Sequence, residues 1–226
     1  LLNSTITRLS RNQKGKSTHP IRAIVSTPTG PKLILAKQIL ISTPPKAELL
    51  GKWMDLNAHE YNLFSQFNNS AYYTGLIRNA GLPANLAFAN ARSDTEYFLP
   101  ELPGLYSLRP TIVPGLIDVK FGSPSTLSID EVKASVTASV SALAAVGGAV
   151  PGANADGTIE WAAFNAHVPF ELTVNVEAIR KGFYRDLYAL QGLRNTWYTG
   201  ASWHAQDSSM LWEFTEGIVG RIIGAM

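Results

Sequence analysis

The sequence predicts an α+β chain of mixed α/β content, and three features predict it. Short strand-like runs separated by turn signals fill the first 45 residues. A long amphipathic helix with a capping box lies in the middle, and a strand, a small-residue turn and a capped helix close the chain.

Ile6 to Ser10 and Ile21 to Thr27 read as strands on either side of a polar, Lys/Gly-rich loop. Thr27-Pro28-Thr29-Gly30 is a turn signal, because proline presets φ and glycine accepts a positive one. Leu33 to Ala36 and Gln38 to Ser42 follow, and Pro44-Pro45 ends this sheet. From Lys46 to Gln66 the period turns helical through Leu49, Leu50, Trp53, Met54, Leu56, Tyr61 and Phe64.

Ala71 to Ile77 returns to a strand, broken by Asn79-Ala80-Gly81-Leu82-Pro83. Leu86 to Ala89, Leu105 to Leu108 and, after the Val113-Pro114-Gly115 turn, Ile117 to Phe121 extend a mixed sheet. Ser128 and Glu131 form the capping box of a helix running to about Val146, with Val132, Val136, Val140 and Leu143 on one face. Gly147, Gly148, Pro151 and Gly152 end it in a loop. Trp161 to Phe164 is one more strand, and Val176 to Leu190 is a helix leading through Gly192 into the last segment.

That segment, LRNTWYTGASWHAQDSSMLWEFTEGIVG from Leu193 to Gly220, carries the strongest functional signal. Asn195 to Thr199 is a strand, Gly200-Ala201-Ser202 a turn, and Asp207 and Ser208 are good N-cap types. The free N–H groups and positive dipole end of such a helix favour an electron-rich ligand group.

Composition narrows the classes. Apolar content of 46% with 16% charged residues fits a globular chain, and the mean hydropathy of +0.03 is slightly apolar. A net charge of +2 gives no reason to expect nucleic acid. The basic residues Arg8, Arg11, Lys14 and Lys16 read as strand ends and a solvated hairpin loop. There are no cysteines, which excludes disulfides and thiolate metal sites, and the 4 histidines lack ligand spacing, so no metal is expected. Two sequons occur, at Asn3 and Asn68; Asn3 opens an expected buried strand, which argues against a glycan there. No stretch has the length and apolarity of a membrane span, and nothing separates a secreted protein from a cytoplasmic one or indicates an oligomeric state.

The final segment resembles the C-terminal flavin-contact run of flavin-dependent amine oxidases, of the form "YFAG…, SGYMEGA…, G". The opening sheet is similar to that family's "V..I…V.V…G….A..VI..PP" region. Within the family, the likeness is to the fungal FAD oxidoreductases related to β-cyclopiazonate dehydrogenase. The resemblance implies a small antiparallel sheet (1–45) and a C-terminal flavin helix (191–226) from an FAD-binding domain, with a mixed-sheet substrate domain (46–190) inserted between them. It also implies a dinucleotide-binding half with a G-x-G-x-x-G turn, and no such motif occurs in these 226 residues. The chain is therefore expected to be the C-terminal part of a larger flavoprotein.

The same resemblance assigns residues to FAD. Gly200 and Ala201 match its "AG" turn, Ser202 stands where it has Glu or Asp, and Ser208, Ser209, Met210 and Leu211 match its helix start, facing the flavin pyrimidine edge. Ile6 matches the valine beside the adenine. Tyr72, Tyr73, His167 and Trp203 are candidate substrate contacts, and His167, Tyr73 and His204 candidate catalytic groups. Tyr72 and Tyr73 are adjacent on one strand, so at most one faces a flavin. Tyr73 falls where the family often has a lysine, which weakens a simple amine oxidase reading. The implied reaction is two-electron oxidation of a C–N or C–C bond of a small molecule by hydride transfer to flavin, with O₂ as acceptor. The alternative is a non-catalytic remnant or small-molecule binding module.

Overall fold

In a computed structural model, which describes residues 1–11, 18–83, 85–147 and 159–226, the opening runs form a three-stranded antiparallel sheet. Its strands are β1 (Thr5–Arg11), β2 (Ile21–Thr27) and β3 (Gly30–Ala36), in that order. The turn signal joins β2 to β3, pairing Thr27 with Gly30, whose φ is +103°. Alternation on β2 is strict: Ile21, Ala23 and Val25 are buried while Arg22, Ile24 and Ser26 are exposed. Asn3, expected to open a buried strand, is exposed and precedes β1. A short strand, β4 (Ile39–Ile41), follows the sheet.

The helical stretch expected from Lys46 to Gln66 is two short helices, α1 (Ala47–Leu50) and α2 (Ala58–Phe64). Between them the backbone exchanges hydrogen bonds with β1, Leu9 N donating to Trp53 O and Asp55 N to Leu9 O, so it cannot continue a helix. Asn57 restarts the helical path: Glu60 N donates to Asn57 Oδ1 at 2.9 Å, and Asn57 N to Glu60 Oε2 at 2.9 Å.

After β5 (Asn68–Asn69) come β6 (Ala71–Arg78), β7 (Phe88–Ala89), β8 (Gly104–Pro110), β9 (Ile117–Ser123), α3 (Ile129–Gly147) and β10 (Glu160–His167). They form a five-stranded sheet in the order β10-β6-β9-β8-β7. Every pairing in it is antiparallel, which corrects the mixed sheet expected from the sequence. The helical crossover from β9 to β10 would allow a parallel pair. Instead β6 lies between those two strands and runs against both.

The predicted capping box starts α3, Glu131 N donating to Ser128 Oγ at 3.2 Å and Ser128 N to Glu131 Oε2 at 2.8 Å. Val132, Val136 and Val140, one helical turn apart, share a core with Tyr73, Ile77, Val119 and Phe121. Of the glycine-rich loop expected after this helix, Gly148, Pro151 and Gly152 lie outside the described residues.

The chain ends with β11 (Leu172–Thr173), α4 (Val176–Arg180), α5 (Phe183–Tyr188), β12 (Thr196–Tyr198) and α6 (Ser208–Gly224). The single helix expected from Val176 to Leu190 is divided at Gly182, whose φ of +91° turns the chain. β12 pairs in parallel with β4, Trp197 opposite Leu40.

Two compact units result, one of residues 1–68 and 172–226, the other of residues 69–171. Their limits differ from the expected ones at 45/46 and 190/191. Residues 46–68 and 172–190 go with the first sheet because Leu50, Leu63, Phe64, Phe183 and Leu187 share its core with Leu9 and Ile21.

Arg11 is not the solvated strand end expected from the sequence. It is 2% exposed, as is Glu60. Arg11 Nε donates to Asp55 Oδ1 at 2.7 Å, and its Nη1 and Nη2 donate to Glu60 Oε1 and Oε2 at 2.6 and 2.9 Å. Arg194, just before β12, donates to Glu60 Oε2 at 3.1 Å and to Asp55 Oδ2 at 2.8 Å. Two arginines and two carboxylates therefore balance one another inside the first unit. Arg8 is exposed as expected, and Lys14 and Lys16 lie outside the described residues.

Burial opposes the charged form of Glu60, but hydrogen bonds from Arg11 and the Asn57 backbone, with the charges of Arg11 and Arg194, outweigh it and hold its carboxyl below the ordinary value. Burial and the charge of Glu60 push the Tyr198 hydroxyl far up. Glu60→Gln leaves the buried Arg11 and the half-buried Arg194 with the exposed Asp55 as their one carboxylate, and should lower the unfolding free energy by about 3–5 kcal/mol in urea titrations at neutral pH. A carboxyl held low in the folded state contributes stability above its unfolded pKa and loses it as pH falls through the folded one. The unmodified protein should therefore lose stability on acidification more steeply than Glu60→Gln; parallel pH curves would contradict this.

Candidate functional site

In the first unit the strand–turn–helix expected at the C-terminus is formed. Gln191 holds β12 in place, its Nε2 donating to Tyr198 O and its Oε1 accepting from Tyr198 N, both at 2.8 Å. Trp197 Nε1 donates to Gln38 Oε1 at 3.0 Å, and the Arg221 guanidinium lies 4.9 Å from the centre of the Trp197 ring. Thr199 N then donates to Ile41 O, extending the β4 pairing by one bond. At Gly200 the backbone has φ +111°, and a Cβ there would lie 3.3 Å from the carbonyl oxygen of Ser42.

Asp207 caps α6, accepting from Met210 N at 2.9 Å. Thr199 Oγ1 and Thr215 Oγ1 hydrogen-bond at 2.7 Å, tying the strand end to the second turn of the helix. Between them lies an apolar groove of about 770 Å³. Gly200, Ser208 and Leu211 line it together with Ser42, Trp212 and Val219.

The other expected cofactor residues fall outside this groove. Ala201, Ser209 and Met210 are exposed and Ser202 is half-buried. Of the backbone donors expected to face a cofactor, Met210 N is taken by the Asp207 carboxylate and Leu211 N by the first helical bond, to Asp207 O. The Asp207 carboxyl is held below its ordinary value, first by the Met210 backbone hydrogen bond. Ile6 lines a different groove in the same unit, of about 330 Å³, with Ile21, Val25 and Ile34.

Trp203 does not face a pocket. It is 1% exposed, stacked on Tyr198 with centroids 4.8 Å apart, and its indole N–H is buried without a partner among the described residues. Its apolar ring completes the core beneath β12, which outweighs the one unpaired donor. His204 is exposed and stacks on Phe214 at 5.2 Å.

In the second unit the sheet has two unlike faces. Tyr73 points into the core against α3, 1% exposed, and its hydroxyl both donates to Leu127 O and accepts from Leu127 N. It has no face left for a substrate. Tyr72 points the other way, as neighbours on a strand must. There it stacks on Phe170 with centroids 5.0 Å apart, and Tyr106 and His167 each lie 6.1 Å from it. Gly122, opposite Tyr72, makes room for this cluster, since a Cβ there would meet the Tyr106 ring at 2.2 Å. Burial, then the charge of Asp118, pushes the Tyr72 hydroxyl up, and burial, then Glu171, does the same to Tyr106.

No family model matches the chain. It is 38% identical over 221 residues to the FAD-dependent oxidoreductase oblC of Cochliobolus heterostrophus, covering 96% of this chain and 44% of that protein. It is 38% identical to the FAD-dependent oxidoreductase pigF of Monascus ruber, covering 97% and 45%. The chain is a relative of fungal FAD-dependent oxidoreductases. β-Cyclopiazonate dehydrogenase of Aspergillus oryzae is another, 32% identical with 98% of this chain and 47% of that protein covered. The chain thus spans about half the length of the curated relatives it matches.

Solved structures share the fold at low identity. The CLA-producing fatty acid isomerase from P. acnes gives a TM-score of 0.65 at 16% identity, with 97% of this chain and 47% of that one covered. Cyclohexylamine oxidase from Brevibacterium oxydans gives 0.51 at 11%, with 96% and 48% covered.

For this relative of the fungal oxidoreductases, the structure brings Gly200, Ser208 and Leu211 together in one unit, and Tyr72 and His167 in the other. The sequence reading missed Ser42, Trp212 and Val219 in the first and Tyr106 and Phe170 in the second. The positions 208, 212, 215 and 219 of α6 repeat with helical period, a signal that was there to use. Nothing local marks Tyr106 or Phe170, which reach Tyr72 through strand pairing and chain return. Gly200→Ala should lower stability by about 1–3 kcal/mol because an L side chain is strained at this backbone conformation. Thermal unfolding checks this, and an unchanged midpoint would mean that the turn relaxes.

Proposed function

We propose that the chain supplies the flavin-contact segment and the substrate-facing sheet of an FAD-dependent oxidoreductase. The groove at Gly200 carries this reading: it is apolar, broad enough for a flat ring, and bounded at one end by the start of α6, in a chain whose relatives are FAD-dependent oxidoreductases. When bound, FAD would supply a hydride acceptor for two-electron oxidation of a C–N or C–C bond, with O₂ as the final acceptor.

The residues of the chain have distinct tasks in this reading. Gly200 and Ala201 keep the backbone low at the end of β12, so that the ring can lie along Leu211 and Trp212. Ser202, Ser208 and Ser209 offer hydroxyl and backbone donors without charge. The first turn of α6, through Met210 and Leu211, places a positive dipole end at the ring's polar edge. Asp207 now takes the Met210 N–H and would have to yield it to a cofactor carbonyl. Ile6 and its groove receive the adenine. Tyr72 and His167 contact substrate, and His167, exposed at the end of β10, is the candidate base.

The dinucleotide-binding half expected from the resemblance would supply the pyrophosphate contacts, so the chain by itself should bind FAD weakly and be inactive. Joining it to the remaining sequence of its gene and recording the visible spectrum tests the reading. Oxidised-flavin absorption, bleached by a substrate and reduced at least about tenfold in occupancy by Leu211→Lys, is the expected result. A colourless protein that takes up no added FAD would instead favour a non-catalytic binding module, consistent with the capped Met210 donor.

A further inference from the structure

We infer that the outer face of the β1–β2–β3 sheet is a membrane-docking surface, and that its partner is a bilayer bearing anionic lipid headgroups. The inference does not rest on the flavin reading, because no residue of this face lines the groove at Gly200 or the one at Ile6.

The face follows from strand alternation. With Ile21, Ala23 and Val25 turned to the core, Arg22 and Ile24 must point the other way. Register then sets their neighbours. Ile24 lies between Arg8 and Leu33, and Arg22 lies between Ser10 and Leu35. Two rows result, each crossing three strands, and in each an arginine borders an aliphatic side chain.

The water-facing positions of a half-buried antiparallel sheet are ordinarily polar, and here three are not. Ile24 is 41% exposed, Leu33 63% and Leu35 51%. Leu33 and Leu35 stand on β3, the edge strand of the sheet. Aliphatic groups gathered on an open surface mark a place that meets something other than water.

Charge complementarity identifies the partner. The chain has 17 acidic residues, yet none precedes Glu48, so the sequence of the three strands and their connections carries basic charge alone. Arg8 and Arg22 are exposed, and neither has an acidic partner among the described residues. Nucleic acid or an acidic protein would answer the arginines and gain nothing from the aliphatic groups. An anionic bilayer answers both. Headgroup phosphates and carboxylates meet the guanidinium groups, while the aliphatic side chains enter the boundary with the acyl chains. Long arginine stems let the charge stay at headgroup level as their neighbours sink below it.

Co-sedimentation with vesicles tests this, using the chain alone and the chain joined to the remaining sequence of its gene. Both should bind vesicles of phosphatidylcholine mixed with phosphatidylserine, release them as salt is raised, and ignore phosphatidylcholine alone. Arg8→Glu with Arg22→Glu should weaken binding at least about tenfold. Arg180→Glu with Lys181→Glu makes the same change in net charge at exposed positions near the end of α4, and should weaken it less than about twofold. Leu33→Asn with Leu35→Asn, which alters no charge, should weaken it severalfold. Circular dichroism checks that each variant folds; if the first pair does not, Arg8→Gln with Arg22→Gln takes its place. No binding to the mixed vesicles, equal binding to neutral ones, or equal loss in the α4 variant would overturn the proposal. Binding by the chain alone that the joined protein lacks would also overturn it, assigning the face to a contact within the longer protein. Binding indifferent to the leucine variants would overturn it in favour of an acidic protein. A colourless joined protein that still binds the mixed vesicles would sink the flavin reading and leave this one standing.

Discussion

The buried pairing of Arg11 with Glu60, closed by Asp55 and Arg194, is the constraint on which the first unit depends. A charged group taken out of water must find its opposite at once, with its remaining hydrogen-bonding positions filled. Here that demand is met by three stretches far apart in the sequence: β1, the start of α2 with the link before it, and the turn before β12. Neither β1 nor α2 can shift without separating the buried Arg11 from the buried Glu60. Removal of either buried partner would leave the other charge without its buried counter-ion.

Its reach extends to the candidate cofactor segment. Arg194 and Asn195 both have positive φ, +54° and +56°, a conformation that non-glycine residues adopt at a cost. Arg194 also donates to the backbone carbonyls of Asp55 and Arg11, at 2.5 and 3.2 Å. The strained turn is thus anchored by the same network, and it delivers β12 beside β4 with Gly200 at the mouth of the groove. The strand, the glycine and the capped helix thus fix the walls of the groove, while the Asp207 cap holds the Met210 N–H at the start of α6.

The second unit solves a different problem, how to cover one face of a sheet and leave the other available. On the covered face Gly75 lies under Trp161, where a Cβ would sit 2.4 Å from the ring. On the open face Gly122 lies under Tyr106. Glycines on neighbouring strands thus let one large ring lie flat on each side. The covered side is filled by the valines of α3, and the open side carries the Tyr72, Tyr106, His167 and Phe170 cluster.

What the sequence determined by itself was local. The Pro28-Thr29 turn, the Ser128–Glu131 capping box, the valine face of α3, the opposite directions of Tyr72 and Tyr73, and the strand–Gly200–helix run were legible because each rests on interactions within a few residues. The relatives support the resemblance drawn from that last run. The tertiary structure alone decided the rest. A basic cluster at strand ends and a hairpin loop reads as solvated, and its Arg11 became a core residue through partners as distant as Thr196, 185 positions away. A tryptophan in a polar loop reads as a pocket residue, and Trp203 was claimed by the stacking surface of Tyr198. The antiparallel order of the larger sheet, the breaks in the two expected long helices, and the meeting of Tyr106 and Phe170 with Tyr72 have the same origin. Long-range pairing and burial depend on which surfaces come together, and local propensity carries no record of that.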